Sequence, residues 1–185
     1  ALGEALSVLF DIAKPSQQQS IMAKTPVTTF GIPCIYPQIP GIPPYHNNAV
    51  WPFVSGYWAM AAAKTGNETA LMHAIASIYR PAAMFLTNKE NFVAGDGDHK
   101  GTQINSSNML WSLSANLAIV HRILFGIEID DESLKFKPIV HHALKGLHTL
   151  NNFKYRGAML NITVEGHGNK LVAFYIDDKP TDIAS

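Results

Sequence analysis

The chain has 185 residues, 47% of them hydrophobic and 15% charged, with 14 basic side chains against 14 acidic ones. That is enough apolar material for a core, while a zero net charge with no run of Lys or Arg provides no stripe for a row of phosphates and speaks against nucleic acid as a partner. The longest apolar stretch, 50–63, is broken by Pro52, Ser55 and Gly56 and is shorter than the roughly 20 residues of a bilayer span. The single cysteine, Cys34, permits neither an internal disulfide nor a cysteine-rich zinc site.

Leu2, Ala5, Leu6, Leu9 and Phe10 recur with helical spacing and predict an amphipathic helix ending near Lys14-Pro15. No basic leader or cap precedes it, so the expectation is a chain that begins inside a larger protein. A short helix is expected over 17–24. Seven of the eleven prolines then fall between Pro26 and Pro52, denying the backbone both helix and ladder pairing. Loops of that length inside a compact domain are usually functional.

Helical pattern resumes over 50–65 and stops at Gly66, a good residue for the end of a helix. It restarts behind Asn67 as a cap and runs to about Leu86, making an αα-hairpin. The first helix is apolar nearly all round, with Trp51, Phe53, Val54, Tyr57, Trp58 and Met60, and is expected to be buried on every side. A glycine-rich loop over 87–102 leads to a helix predicted over 106–125 and closed by Gly126. After Ile127 the period changes from 3.6 to 2. Strands are expected over 133–136, 147–155, 160–165 and 172–176, with a turn at Gly166-His167-Gly168-Asn169. The resulting division is a helical part, 1–127, and a β-sandwich-like part, 128–185.

Chemistry gathers in three loops. Tyr45, His46, Asn47 and Trp51 stand where the proline-rich segment meets the most apolar helix. Their donors and acceptors match sugar hydroxyls, and the indole offers a flat face for a pyranose. The plain alternative is a core tryptophan and a histidine at a helix end. Glu90 places a lone carboxylate in the next loop, suited to activating water as a general base, where a solvated surface acid is the ordinary alternative. Gln103 and Trp111 come next; Gln103 suits hydroxyl binding, and Trp111 suits stacking, though a tryptophan there is more often core than subsite. Asp96-Gly97-Asp98-His99 suggests calcium, but Lys100 at the fifth position and Ser107 at the twelfth exclude an EF-hand. His141, His142 and Cys34 show no ligand spacing, so no metal or cofactor is expected.

Tyr-His-Asn-x-x-Val-Trp-Pro, then Glu-Asn-Phe-x-x-Gly-Asp-x-x-His-x-Gly, then Trp-Ser opening a helix that ends Leu-Phe-Gly-Ile, resembles the final third of six-hairpin glycoside hydrolases. The nearest likeness is to the amylo-α-1,6-glucosidase part of glycogen-debranching enzymes and to the mannosylglycerate hydrolase, trehalase and processing α-glucosidase group. The tail, 134–179, is similar to the small β-sandwich that follows the barrel in many of them. The resemblance implies a partial (α/α)6 toroid of αα-hairpins followed by that sandwich, and an inverting glycosidase. Glu90 matches the family's general base, Tyr45, His46, Asn47 and Trp51 its sugar-binding segment, and Gln103 and Trp111 the segment before its last inner helix. Two departures stand out: the stretch from Glu90 to Trp111 is several residues longer than the usual spacing, and Asn48 occupies a position where glycine is common.

Six hairpins do not fit in about 127 helical residues at ordinary helix and loop lengths. The general acid is therefore expected in a missing N-terminal part, and either the remainder of the barrel or self-association is expected to cover the apolar helix faces. The partners expected are an oligosaccharide or polysaccharide and that remainder, in an extracytoplasmic setting. The competing readings are a sugar phosphorylase or a polysaccharide lyase of similar architecture, and a non-catalytic carbohydrate-binding module.

Overall fold

A computed structural model of the chain describes residues 1–183. It forms two compact units, one over 1–119 and one from 120 onward. Helices make up the first and antiparallel strand pairs the second. No helix among the described residues is long and apolar enough to cross a membrane.

In the first unit the N-terminal apolar stripe forms α1 (Leu2–Leu9), which stops well short of Pro15. The reason is local: Asp11 turns left-handed at φ 56°, and Lys64 donates to both Leu9 O (3.0 Å) and Asp11 Oδ1 (2.7 Å). A cation there meets the open carbonyls of a helix C-terminus. Next, α2 (Pro15–Lys24) starts with proline in its first turn, and the Gln17 side chain accepts from Lys14 N–H at 2.9 Å.

The long hairpin forms as expected. It consists of α3 (Pro52–Thr65) and α4 (Glu68–Phe85), joined by Gly66 at φ 69° and by Asn67, whose side chain accepts from Ala70 N–H at 3.0 Å. Nine of the fourteen α3 residues are buried, because α1, α4 and α5 (Leu110–Ala118) all pack on it; Tyr57 is its one exposed large hydrophobic side chain. Gly56 lies so close to α5 that a Cβ there would sit 2.8 Å from the Ala115 methyl.

A short strand pair positions the loops. Ala49–Val50 (β1) runs antiparallel to Phe92–Val93 (β2), with Ala49 opposite Val93 and Val50 opposite Phe92. Ala94 N–H extends the pairing to Asn48 O at 3.0 Å. Asn48 is itself left-handed, at φ 50°, a conformation that glycine and asparagine tolerate best, which accounts for asparagine at a site where glycine would also serve. Val50, Phe92 and Ala94 form one small core cluster with Phe30 against it, and Ala49, Trp51 and Val54 form another.

The last helix departs from expectation at both ends. It begins at Leu110 rather than near 106, because residues 104–109 bond across to another loop and Asn108 is left-handed at φ 58°. Beyond Ala118 the backbone widens into a π-helical turn, Ile119–Leu124, with Phe125 N–H bonded to Val120 O.

In the second unit Gly126 admits no side chain, since a Cβ would lie 2.0 Å from the Lys137 carbonyl carbon. The strands form three antiparallel pairs: β3 (Ile127–Ile129) with β4 (Leu134–Phe136), β5 (Gly146–Tyr155) with β6 (Ala158–Gly166), and β7 (Tyr175–Ile176) with β8 (Lys179–Pro180). The long β5–β6 hairpin carries the alternation read at 160–165, with an irregularity between Leu150 and Phe153. The run expected over 172–176 keeps only its last two residues as strand. Among the described residues each of these pairs stays a two-stranded antiparallel sheet.

Candidate functional site

Three loops of the first unit converge. The β1–β2 pairing draws 45–51 beside 90–93, and Gln103 N–H, donating to Pro44 O at 2.7 Å, ties 102–109 to the same place. Glu90 lies at the junction and is 7% exposed. Its carboxylate accepts from two sides, a long 3.3 Å contact from the Tyr45 hydroxyl to Oε1 and a 3.1 Å bond from Ser106 N–H to Oε2. Burial first, then the charge and hydrogen bond of Glu90, hold the Tyr45 hydroxyl above the usual phenol range. Tyr45 thus stays protonated and donates.

An aromatic group borders this carboxylate. The His46 ring stacks on Trp51 at 5.0 Å with 6° between planes, Tyr45 meets both rings edge-on, and Trp111 meets Trp51 edge-on at 5.5 Å. Phe53 stacks on Trp111 at 4.7 Å. His46 and Trp111 are exposed, so they present the accessible ring surface.

Two residues differ from their expected roles. Trp51 has no free face for a sugar: it is 2% exposed, its indole N–H donates to Tyr45 O at 2.7 Å, and His46 covers one side. Its part is to hold the aromatic group together. Asn47 is buried and its amide is consumed within the proline-rich loop, accepting from Ile39 N–H (2.8 Å) and donating to Ile39 O (3.2 Å) and Ile42 O (3.0 Å). It closes the loop that presents Tyr45 and His46. Gln103 lies at the site through its backbone, with its side chain exposed to solvent.

Sequence reasoning missed Asn91, Asn105 and Ser106. Asn105 Nδ2 donates to Asn91 O (2.6 Å), Asn91 Oδ1 (3.1 Å) and Thr102 Oγ1 (3.0 Å), and Asn91 Nδ2 donates to Ile104 O (3.2 Å). The one available signal was compositional: asparagines at 88, 91, 105, 108 and 116 crowd two loops and the helix that follows them. The acidic turn proves self-contained, since Asp96 Oδ1 accepts from Asp98 N–H and Asp98 Oδ1 from Lys100 N–H. No protein-family model matches the chain, and no curated protein matches it.

Proposed function

We propose that the chain is the C-terminal portion of an inverting glycoside hydrolase acting on O-glycosidic bonds of oligosaccharides, with Glu90 as the general base. One observation carries the reading: a buried carboxylate held between two hydrogen-bond donors, one of which, Tyr45, belongs to an aromatic group whose His46 and Trp111 rings are exposed. Hydrogen-bonded on both oxygens, the carboxylate keeps a fixed orientation and retains lone pairs for a water. The rings supply apolar faces against which the C–H surface of a sugar packs.

In this reading the water attacks the anomeric carbon as its proton passes to Glu90, while an acid from another part of the parent protein protonates the leaving oxygen. Inversion requires the two carboxyl groups about 6.5–9.5 Å apart. The α3–α4 hairpin is then one hairpin of an (α/α)6 toroid, α1 and α5 belong to its neighbours, and the strand pairs of the second unit belong to the sandwich after it. The reading also draws support from the motif resemblance around Tyr45, Glu90 and Trp111.

The test is hydrolysis of α- and β-linked gluco-, manno- and rhamno-oligosaccharides by the parent protein, with the released anomer followed by NMR. Glu90→Gln is expected to lower kcat by roughly 10²–10⁴, and His46→Ala to raise KM. Retained turnover in Glu90→Gln overturns the assignment, and ultraviolet-absorbing unsaturated products from uronate polymers would replace hydrolysis with elimination.

A further inference from the structure

The segment carrying Glu90 is bonded residue by residue to the segment before α5 and to the first turn of α5 itself. Asn88 O accepts from Met109 N–H (2.9 Å), Lys89 O from the Ser112 hydroxyl (2.8 Å), and Glu90 N–H donates to Ser106 O (2.9 Å) while Ser106 N–H returns to Glu90 Oε2 (3.1 Å). Asn91, wholly buried, completes the run through Asn105 and Ile104. Apart from Ser112 the bonded residues are neither helix nor regular strand, so two backbone bonds and the side-chain contacts together do what a ladder would do elsewhere.

Asn105 is the centre of this seam. Its amide nitrogen reaches three acceptors, two of them on Asn91, the residue after Glu90, and it immediately precedes Ser106, whose N–H holds the carboxylate. Its Oδ1 is buried without a partner among the described residues. The residue therefore contributes as a donor, and an unpartnered buried oxygen is a cost that the three donated contacts must offset.

We propose that Asn105 is a positioning residue for Glu90: by clamping Asn91 and fixing the backbone at Ser106, it sets where the carboxylate points. The proposal rests on the general-base reading for its catalytic consequence and on the seam geometry alone for its structural one. Asn105 touches neither substrate nor water in it; it acts through Ser106 and Asn91.

The structural arm needs no substrate. Tyr45 senses the Glu90 carboxylate, which helps to hold its hydroxyl above the usual range, so the Tyr45 titration followed by ζ-carbon-labelled tyrosine NMR reports whether the carboxylate is in place. Glu90→Gln is expected to lower the Tyr45 midpoint and defines the endpoint. Asn105→Ala and Asn105→Leu, the latter similar in size and uncharged but without the N–H donors, are expected to move Tyr45 most of the way to that endpoint with the far-ultraviolet circular dichroism retained. Ser107→Ala, which removes the exposed Lys89–Ser107 contact (2.9 Å), is expected to leave it in place. A Tyr45 midpoint unchanged in both folded Asn105 variants overturns the proposal.

A second measurement keeps the test open should those variants unfold: the Ser106 amide proton of the native chain is expected downfield of its position in Glu90→Gln, and a Ser106 amide indifferent to that change overturns the geometry. In the parent protein, Asn105→Ala is expected to lower kcat by about 10², the scale of a 1 Å misplacement, with KM within twofold. A matched rise in KM with kcat unchanged would make Asn105 a binding residue instead. A parent protein that hydrolyses no glycoside, with the Tyr45 shift intact, removes the general-base reading and leaves the clamp standing.

Discussion

Gly56→Ala pits two effects of known sign against each other. In an exposed helix interior the change stabilises by about 1 kcal/mol, because glycine is the poorer helix former. Here the added methyl would sit 2.8 Å from Ala115 Cβ and 3.2 Å from Ala115 Cα, and the nearer atom is one bond from backbone, so it cannot swing aside. Overpacking of that kind costs typically 1–3 kcal/mol. The net expectation is a loss of up to about 2 kcal/mol. For a chain of this length each kcal/mol moves Tm by about 2–4 °C. All three tryptophans, at 51, 58 and 111, lie in the first unit, so tryptophan emission during urea unfolding reads that unit alone. Adding Ala115→Gly opens the contact, and the double variant should show a favourable coupling energy of at least about 0.5 kcal/mol. An increase in stability of about 1 kcal/mol in Gly56→Ala alone would show that α3 and α5 are not packed this closely.

The Cys34 thiol is pushed up to about 11 by burial, leaving on the order of one thiolate in a thousand at pH 8, against about a quarter for a free thiol near 8.5; alkylation of the folded chain is expected to be slower than that of the urea-unfolded chain by a factor on the order of 10². Asp130 is held well below the usual carboxylate range, first by Lys135 (2.7 Å) and then by Glu132 N–H and Ser133. Its lowered folded-state value means that the contribution is present above the ordinary aspartate value, about 4, and is lost as the pH falls below it. NMR of the β3–β4 turn should therefore show Asp130→Asn and the native chain converging at low pH and differing at neutral pH. Asn47→Ala removes three contacts from a buried amide and is expected to destabilise by about 1–3 kcal/mol, with loss of the His46–Trp51 stack visible as a changed near-ultraviolet dichroism; an unchanged spectrum refutes its role as the loop's clamp.

The hairpin was legible because each signal is local. Apolar spacing, Gly66 and Asn67 all act within one turn of the helix they shape, and the 160–165 alternation likewise needs only its own pleat. Glu90, Tyr45 and Trp111 were found by residue chemistry, and the structure brings them within one aromatic and acidic neighbourhood. The roles of Asn47 and Trp51 were not legible, because which partner satisfies a buried amide or covers an indole depends on loops folding back over several residues. The start of α5 was misplaced for the same reason. Residues 106–109 have acceptable helix chemistry, but their backbone is engaged by Thr87, Asn88 and Glu90.

The seven prolines between 26 and 52 act on a state that the fold itself does not display. Each fixes one dihedral before folding begins, and a proline placed where its native geometry allows it stabilises by about 0.4–1 kcal/mol through the unfolded chain. Together they shrink the number of conformations that the segment bearing Tyr45 and His46 surrenders when it becomes ordered, by an amount on the order of several kcal/mol. Few backbone hydrogen bonds then suffice to keep it in one shape, and a glycine-rich replacement of equal length, able to make the same contacts, would spend much of its time elsewhere.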